Sequence, residues 1–130
     1  SDGVRRLVLG TAIAPAPGAE AVALPPADGQ IAPASVLAAL AERGFKRILI
    51  EGGADTVSRF IAAKCLDRLH VVVAPMILGS GRTGISLPPI ETCDEALRVP
   101  VHVHQLGDEV LYDCDLSAQR IPAGFANRSI

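Results

Sequence analysis

The sequence predicts one mixed α/β domain, a sheet with a parallel centre, flanking helices and an antiparallel C-terminal hairpin. Three observations carry this expectation. Ile48, Leu49 and Ile50 form an apolar run that stops at Glu51-Gly52-Gly53 and gives way to helical spacing at Val57, Phe60 and Ile61. Val36, Leu37 and Leu40 line one face of an earlier helix. Residues 99–106 and 110–116 read as two strands meeting near Gly107-Asp108. Successive strand–helix units imply parallel strands joined by right-handed crossovers.

In chain order, residues 6–9 predict a short strand closed by Gly10-Thr11, and a Pro/Ala/Gly stretch, residues 14–18, excludes regular helix. Residues 21–24 predict a second short strand, and Pro25-Pro26-Ala27-Asp28-Gly29 a turn. The first helix is expected over 33–43. Pro33 suits its first turn, and Gly44 suits a left-handed stop. A buried strand over 46–50, a helix over 55–63 and a buried Val-rich strand over 69–74 follow. Residues 75–89 form a Gly/Pro-rich loop before the hairpin. A domain over 1–118 and a loose tail over 119–130 complete the reading.

The bulk composition narrows the function classes. The chain has 130 residues, 49% of them apolar, with three Phe, one Tyr and no Trp, so the core is aliphatic. A net charge of −2 and 12 scattered Lys and Arg give no footprint for nucleic acid. No apolar run approaches the ~20 residues of a membrane helix, and no signal peptide is visible. Cys65, Cys93 and Cys114 fit no zinc spacing. Their odd count suggests reduced thiols in a cytoplasmic protein, acting as small buried hydrophobes. The chain starts at Ser1-Asp2-Gly3 without Met, as a processed or trimmed product would.

The strand–Gly-Gly–helix turn carries the sharpest chemistry. Glycines let a ligand approach the main chain, and a helix start offers free N–H groups and partial positive charge. Together they suit a phosphate or diphosphate. The plainer alternative is a tight connection, with Asp55 and Thr56 as helix caps and Glu51 solvated. Gly79-Ser80-Gly81-Arg82-Thr83-Gly84 matches the letters of a dinucleotide fingerprint, but Pro88-Pro89 forbids the helix that must follow. That segment is read as a flexible loop, with Arg82 either reaching a phosphate or solvated. His102 and His104 share a strand face, as a metal pair or a surface pair, and no third ligand accompanies them or His70. No metal is therefore expected.

Ile48-Leu49-Ile50-Glu51-Gly52-Gly53, the helix after it, Leu66-Asp67-Arg68-Leu69-His70 and Ala74-Pro75-Met76-Ile77-Leu78-Gly79 occur in that order. The order resembles the C-terminal reductase domain of the bacterial bifunctional riboflavin biosynthesis deaminase/reductase, over residues 6–117. The resemblance implies a dihydrofolate-reductase-like fold and NADPH as cofactor. It implies reduction of 5-amino-6-(5-phosphoribosylamino)uracil, or a related pyrimidine nucleotide-like small molecule, to its ribitylamino form. It assigns Gly52, Gly53, Ala54, Asp55, Thr56 and Ser58 to the cofactor and Glu51 to the substrate, and it leaves the catalytic proton donor unassigned. A homodimer is also implied. Two departures stand out. Lys64-Cys65 occupy the position of a family glycine after the second helix, and the chain corresponds to about the C-terminal two thirds of the family domain. The deaminase zinc signature is absent. A non-catalytic nucleotide-binding module, or a dimerisation domain using the hairpin edge, is the alternative.

Overall fold

The computed structural model describes residues 3–12, 14 and 16–122. These fall into two compact units, one running up to Leu49 and the other spanning Ile50–Pro122.

The first unit contains β1 (Leu7–Gly10), β2 (Glu20–Ala23) and α1 (Pro33–Glu42). β1 and β2 pair in parallel, with Leu9 opposite Val22. Ahead of β2 the chain turns at Gly18, with φ +75°. Val22 and Ala39 are the buried apolar residues among the described residues of this unit. α1 has Pro in its first turn, as expected, and ends in a left-handed Gly44 with φ +85°. Gly44 N–H donates to Ala41 C=O at 2.9 Å and Phe45 N–H to Leu40 C=O at 3.1 Å. These two bonds form the Schellman pair that satisfies the last carbonyls of the helix.

Glu20 ties this unit together. Arg5 Nη2 donates to Glu20 Oε2 at 2.8 Å, and Arg43 Nε donates to Glu20 Oε1 at 2.7 Å. Hydrogen bonds from Arg5 and then Arg43 hold the Glu20 carboxyl below the usual glutamate range, against a smaller upward push from burial. A carboxylate with a lowered native pKa stabilises the fold above its unfolded pKa and loses that contribution as pH falls through its native one. Chemical denaturation midpoints are therefore expected to drop as pH falls through and below the glutamate range. Glu20→Gln should flatten that limb; an unchanged acid limb in the variant would refute the assignment. Glu20 and Arg5 are exposed and Arg43 is half-buried, so the effect is small and salt-sensitive.

The second unit contains α2 (Ala54–Ala62), β3 (Arg68–Val73), β4 (Val101–Leu106) and β5 (Glu109–Asp115). β5 lies between β3 and β4, antiparallel to both. The predicted hairpin is present, with Leu106 opposite Glu109. Gly107 has φ +63° and Asp108 is not left-handed, the pattern of a type II′ turn.

The strand predicted over 46–50 is not formed. No strand is assigned there, and Leu49 is 78% exposed. The boundary between the two units falls inside this run, between Leu49 and Ile50. An apolar run becomes a buried strand only where a sheet edge receives it, and here β1 and β2 pair with one another. β3 also departs from expectation. It pairs antiparallel to β5 rather than parallel to an earlier strand, and Val72 and Val73 are exposed rather than buried. The fold is mixed α/β, with parallel pairing confined to β1 and β2 among the described residues.

The core of the second unit is Phe60, Ile61 and Leu116, with Ser58 the buried polar residue. Val57 is half-buried. α2 has Ala63 as its C-cap, and the next residue, Lys64, adopts φ +52°. Lys64 N–H donates to Ile61 C=O at 2.9 Å and Cys65 N–H to Phe60 C=O at 3.1 Å. Lysine thus occupies the left-handed C′ position that glycine fills without a Cβ clash. Lys64→Gly is expected to stabilise the unit by about 1 kcal/mol, since left-handed geometry costs an L-residue roughly 1–2 kcal/mol and the gain is offset by glycine's unfolded-chain entropy. A thermal melt tests this, and a lower Tm would refute it.

The thiols are free, but Cys93 is exposed, on a 3-10 turn (Cys93–Glu95), instead of buried. The first residues of the expected tail are tied down. Ile121 N–H donates to Lys64 C=O at 3.0 Å, and Arg120 Nη1 lies 2.6 Å from Asp67 Oδ1. Residues 123–130 of that tail lie outside the described residues.

Candidate functional site

Gly53 is the N-cap of α2, extended at φ −74° and ψ 176°, and no side chain caps the helix. Neither Asp55 nor Thr56 caps it, so the plainer reading of these residues does not hold. The two glycines differ. A Cβ on Gly52 would sit 3.0 Å from Thr56 Cβ and 3.2 Å from Thr56 Oγ1, so a side chain there would press on Thr56. A Cβ on Gly53 would meet nothing within 4 Å, and its φ suits any residue. Packing and backbone geometry leave the glycine at Gly53 unexplained, and its effect is open space in front of the first helical turn. Uncapped N–H groups, the positive end of the helix dipole and that space are the features an anion cradle needs.

Glu51, Gly52, Gly53 and Asp55 are exposed, and Ala54 and Thr56 are half-buried. Glu51 stands beside the cradle on irregular chain, not at a strand end. Asp55 is acidic in the first turn. Its carboxylate favours the helix but opposes a bound anion, so its main-chain N–H is the group suited to a phosphate.

Ser58 is 5% exposed, and its Oγ accepts the Ser86 N–H at 2.8 Å. Sequence reasoning missed this link between α2 and the glycine-rich loop. The signal was available, because Ser58 shares the helix face of Ile61, where a hydroxyl must find a partner. Arg82 is exposed in that loop.

The three histidines lie on one sheet face. His70, Asp113 and His102 form a cross-strand row, and His104 sits opposite Leu111. Arg68 Nη1 lies 3.0 Å from Asp113 Oδ2, and His70 Nε2 lies 3.3 Å from Asp113 Oδ1. Burial pushes the Asp113 carboxyl up, but hydrogen bonding and charge from Arg68 and His70 outweigh it and hold the group below the usual range. Among the described residues, no group of three or more His, Cys, Asp and Glu is placed to hold a metal ion. No helix among them is long and apolar enough to cross a membrane.

A family profile described as the RibD C-terminal domain matches residues 2–112. The riboflavin biosynthesis protein RibD of Bacillus amyloliquefaciens is 43% identical over 44 residues, which is 34% of this chain and 12% of that protein's length. The profile covers most of the chain, from before β1 into β5. This chain belongs to the RibD C-terminal domain family.

Proposed function

We propose that the chain is a riboflavin-pathway reductase domain. It uses NADPH to reduce 5-amino-6-(5-phosphoribosylamino)uracil, or a close relative, to the ribitylamino compound. Family membership supports the reaction class, and the uncapped start of α2 behind the spare glycine Gly53 supports the cofactor site. We assign a dihydrofolate-reductase-like arrangement to the domain on the same family ground.

The residues fit the cofactor's chemistry. Main-chain N–H groups of Gly53 to Thr56 hold its phosphates, while Gly52 and Gly53 keep the approach free of side chains. Ser58 supports the site from one turn deeper. When bound, NADPH supplies the hydride. Glu51 holds hydroxyls of the substrate sugar, and the chain's main contribution is orientation. We place the protein in the cytoplasm as a homodimer acting on a small pyrimidine nucleotide. Three unpaired thiols accord with the compartment. The β4 edge, exposed along its length, accords with self-pairing. That same edge favours the second reading, a dimerisation domain without catalysis.

The test is a thermal shift with NADPH, NADH or neither. Ligand at ~100 times its dissociation constant adds about 2.7 kcal/mol of stability. A shift with NADPH and little with NADH is expected, and no shift with either refutes the cofactor reading for this chain.

A further inference from the structure

We propose that Ser58 is a positioning residue. It fastens the loop over residues 79–87 to α2, and the fastened loop helps to hold the ligand at the Gly52–Thr56 turn. The inference rests on the cofactor reading above and deepens it.

Three observations carry it. Ser58 is the buried polar residue of its unit, and its Oγ is engaged by a main-chain N–H 28 positions away. A buried hydroxyl is costly unless partnered, so the loop backbone at Ser86 completes the helix face. Second, Ser58 lies four residues after Ala54, the first residue of α2, hence on the same helix face and about 6 Å along the axis. Loop residues 79–85 lead directly into that anchor point, and each extended residue spans at most about 3.6 Å. The loop main chain and Arg82 are therefore within reach of the helix start. Third, the loop glycines Gly79, Gly81 and Gly84 are not left-handed, and a Cβ on any of them would meet nothing within 4 Å. Neither backbone geometry nor packing within the chain demands glycine at these positions. Open main chain within reach of the helix start suits close approach of a phosphorylated ligand.

The loop is thus a second wall of the site, and the Ser58 hydroxyl sets its place. Because the donor is the Ser86 main chain, the identity of the Ser86 side chain is immaterial. That asymmetry supplies the control.

The test uses the whole chain with NADPH as probe. Ser58→Ala is compared with Ser58→Thr, which keeps the Oγ, and Ser86→Ala, which keeps the N–H. Ile61→Val serves as a control that lowers stability without touching the clasp. Calorimetry reads NADPH affinity, and hydrogen exchange reads the Ser86 amide. The expected result is a rise of about tenfold in the NADPH dissociation constant for Ser58→Ala, in line with one lost positioning hydrogen bond. Faster exchange at Ser86 should accompany it. Ser58→Thr, Ser86→Ala and Ile61→Val should stay within twofold of the unaltered chain. An unprotected Ser86 amide in the unaltered chain overturns the clasp. Affinity within twofold in Ser58→Ala, or an equal loss in Ile61→Val, overturns the positioning role while leaving the cofactor site standing. An unaltered chain that binds no NADPH overturns the cofactor reading, and the positioning role falls with it.

Discussion

Gly53→Asp is expected to leave the fold slightly more stable and to lower NADPH affinity about a hundredfold. The two effects have one origin. Gly53 is the N-cap of an uncapped helix, and a side chain there meets no obstacle. Aspartate at an N-cap accepts a hydrogen bond from the first turn and gains a few tenths of a kcal/mol over glycine. The same carboxylate then occupies the groups that a phosphate would use and repels it. Two charges about 4 Å apart near a protein surface interact by up to about 4 kcal/mol, and exposure reduces this to the roughly 2.7 kcal/mol of a hundredfold change. Gly52→Ala should do the opposite to the fold. Its Cβ would press on Thr56 at 3.0 Å and cost about 1 kcal/mol. Thermal melts and calorimetry on the two variants separate the roles. Unchanged NADPH affinity in a folded Gly53→Asp chain would remove the helix start from the cofactor site.

What the sequence discloses follows the range of the interaction. Local chemistry reads directly. Pro33 and Gly44 bracket α1, and the left-handed glycine with its two hydrogen bonds is what the residues predict. Gly107 sets the hairpin turn, and the turn sets the register of β4 against β5. The start of α2 was also legible, because its glycines and their helix are contiguous. Non-local choices were not. Ile48-Leu49-Ile50 has the composition of a buried strand, but the chain passes between two units there and no strand edge receives it. β3 carries the valines of a parallel core strand, yet β5 offers it an antiparallel edge. The Ser58–Ser86 bond joins distant segments and leaves only the indirect trace of a hydroxyl on an apolar helix face.

Phe60→Ala is expected to produce the largest loss of stability, about 3 kcal/mol or more. Truncating a buried aromatic typically costs 3–5 kcal/mol, through lost transfer energy and the cavity left behind. Phe60 is 9% exposed, which favours the lower end. The cost falls on a small core. Phe60, Ile61 and Leu116 are the buried apolar residues of the second unit, and both faces of its sheet carry exposed side chains such as Val72 and Val103. Small domains retain little net stability, so such a loss is a large fraction of the total. For a unit of this size it corresponds to a fall in Tm of about 12 °C or more. Phe60→Leu retains most of the apolar volume and should lose less than half as much. α2 is fixed by this apolar face and by the Ser58 bond, so NADPH binding should fall with the fraction of folded chain. A Phe60→Ala chain that melts within a few degrees of the unaltered one would mean that α2 is held by something other than its buried face. The orientation of the Gly52–Thr56 cradle would then need a different support.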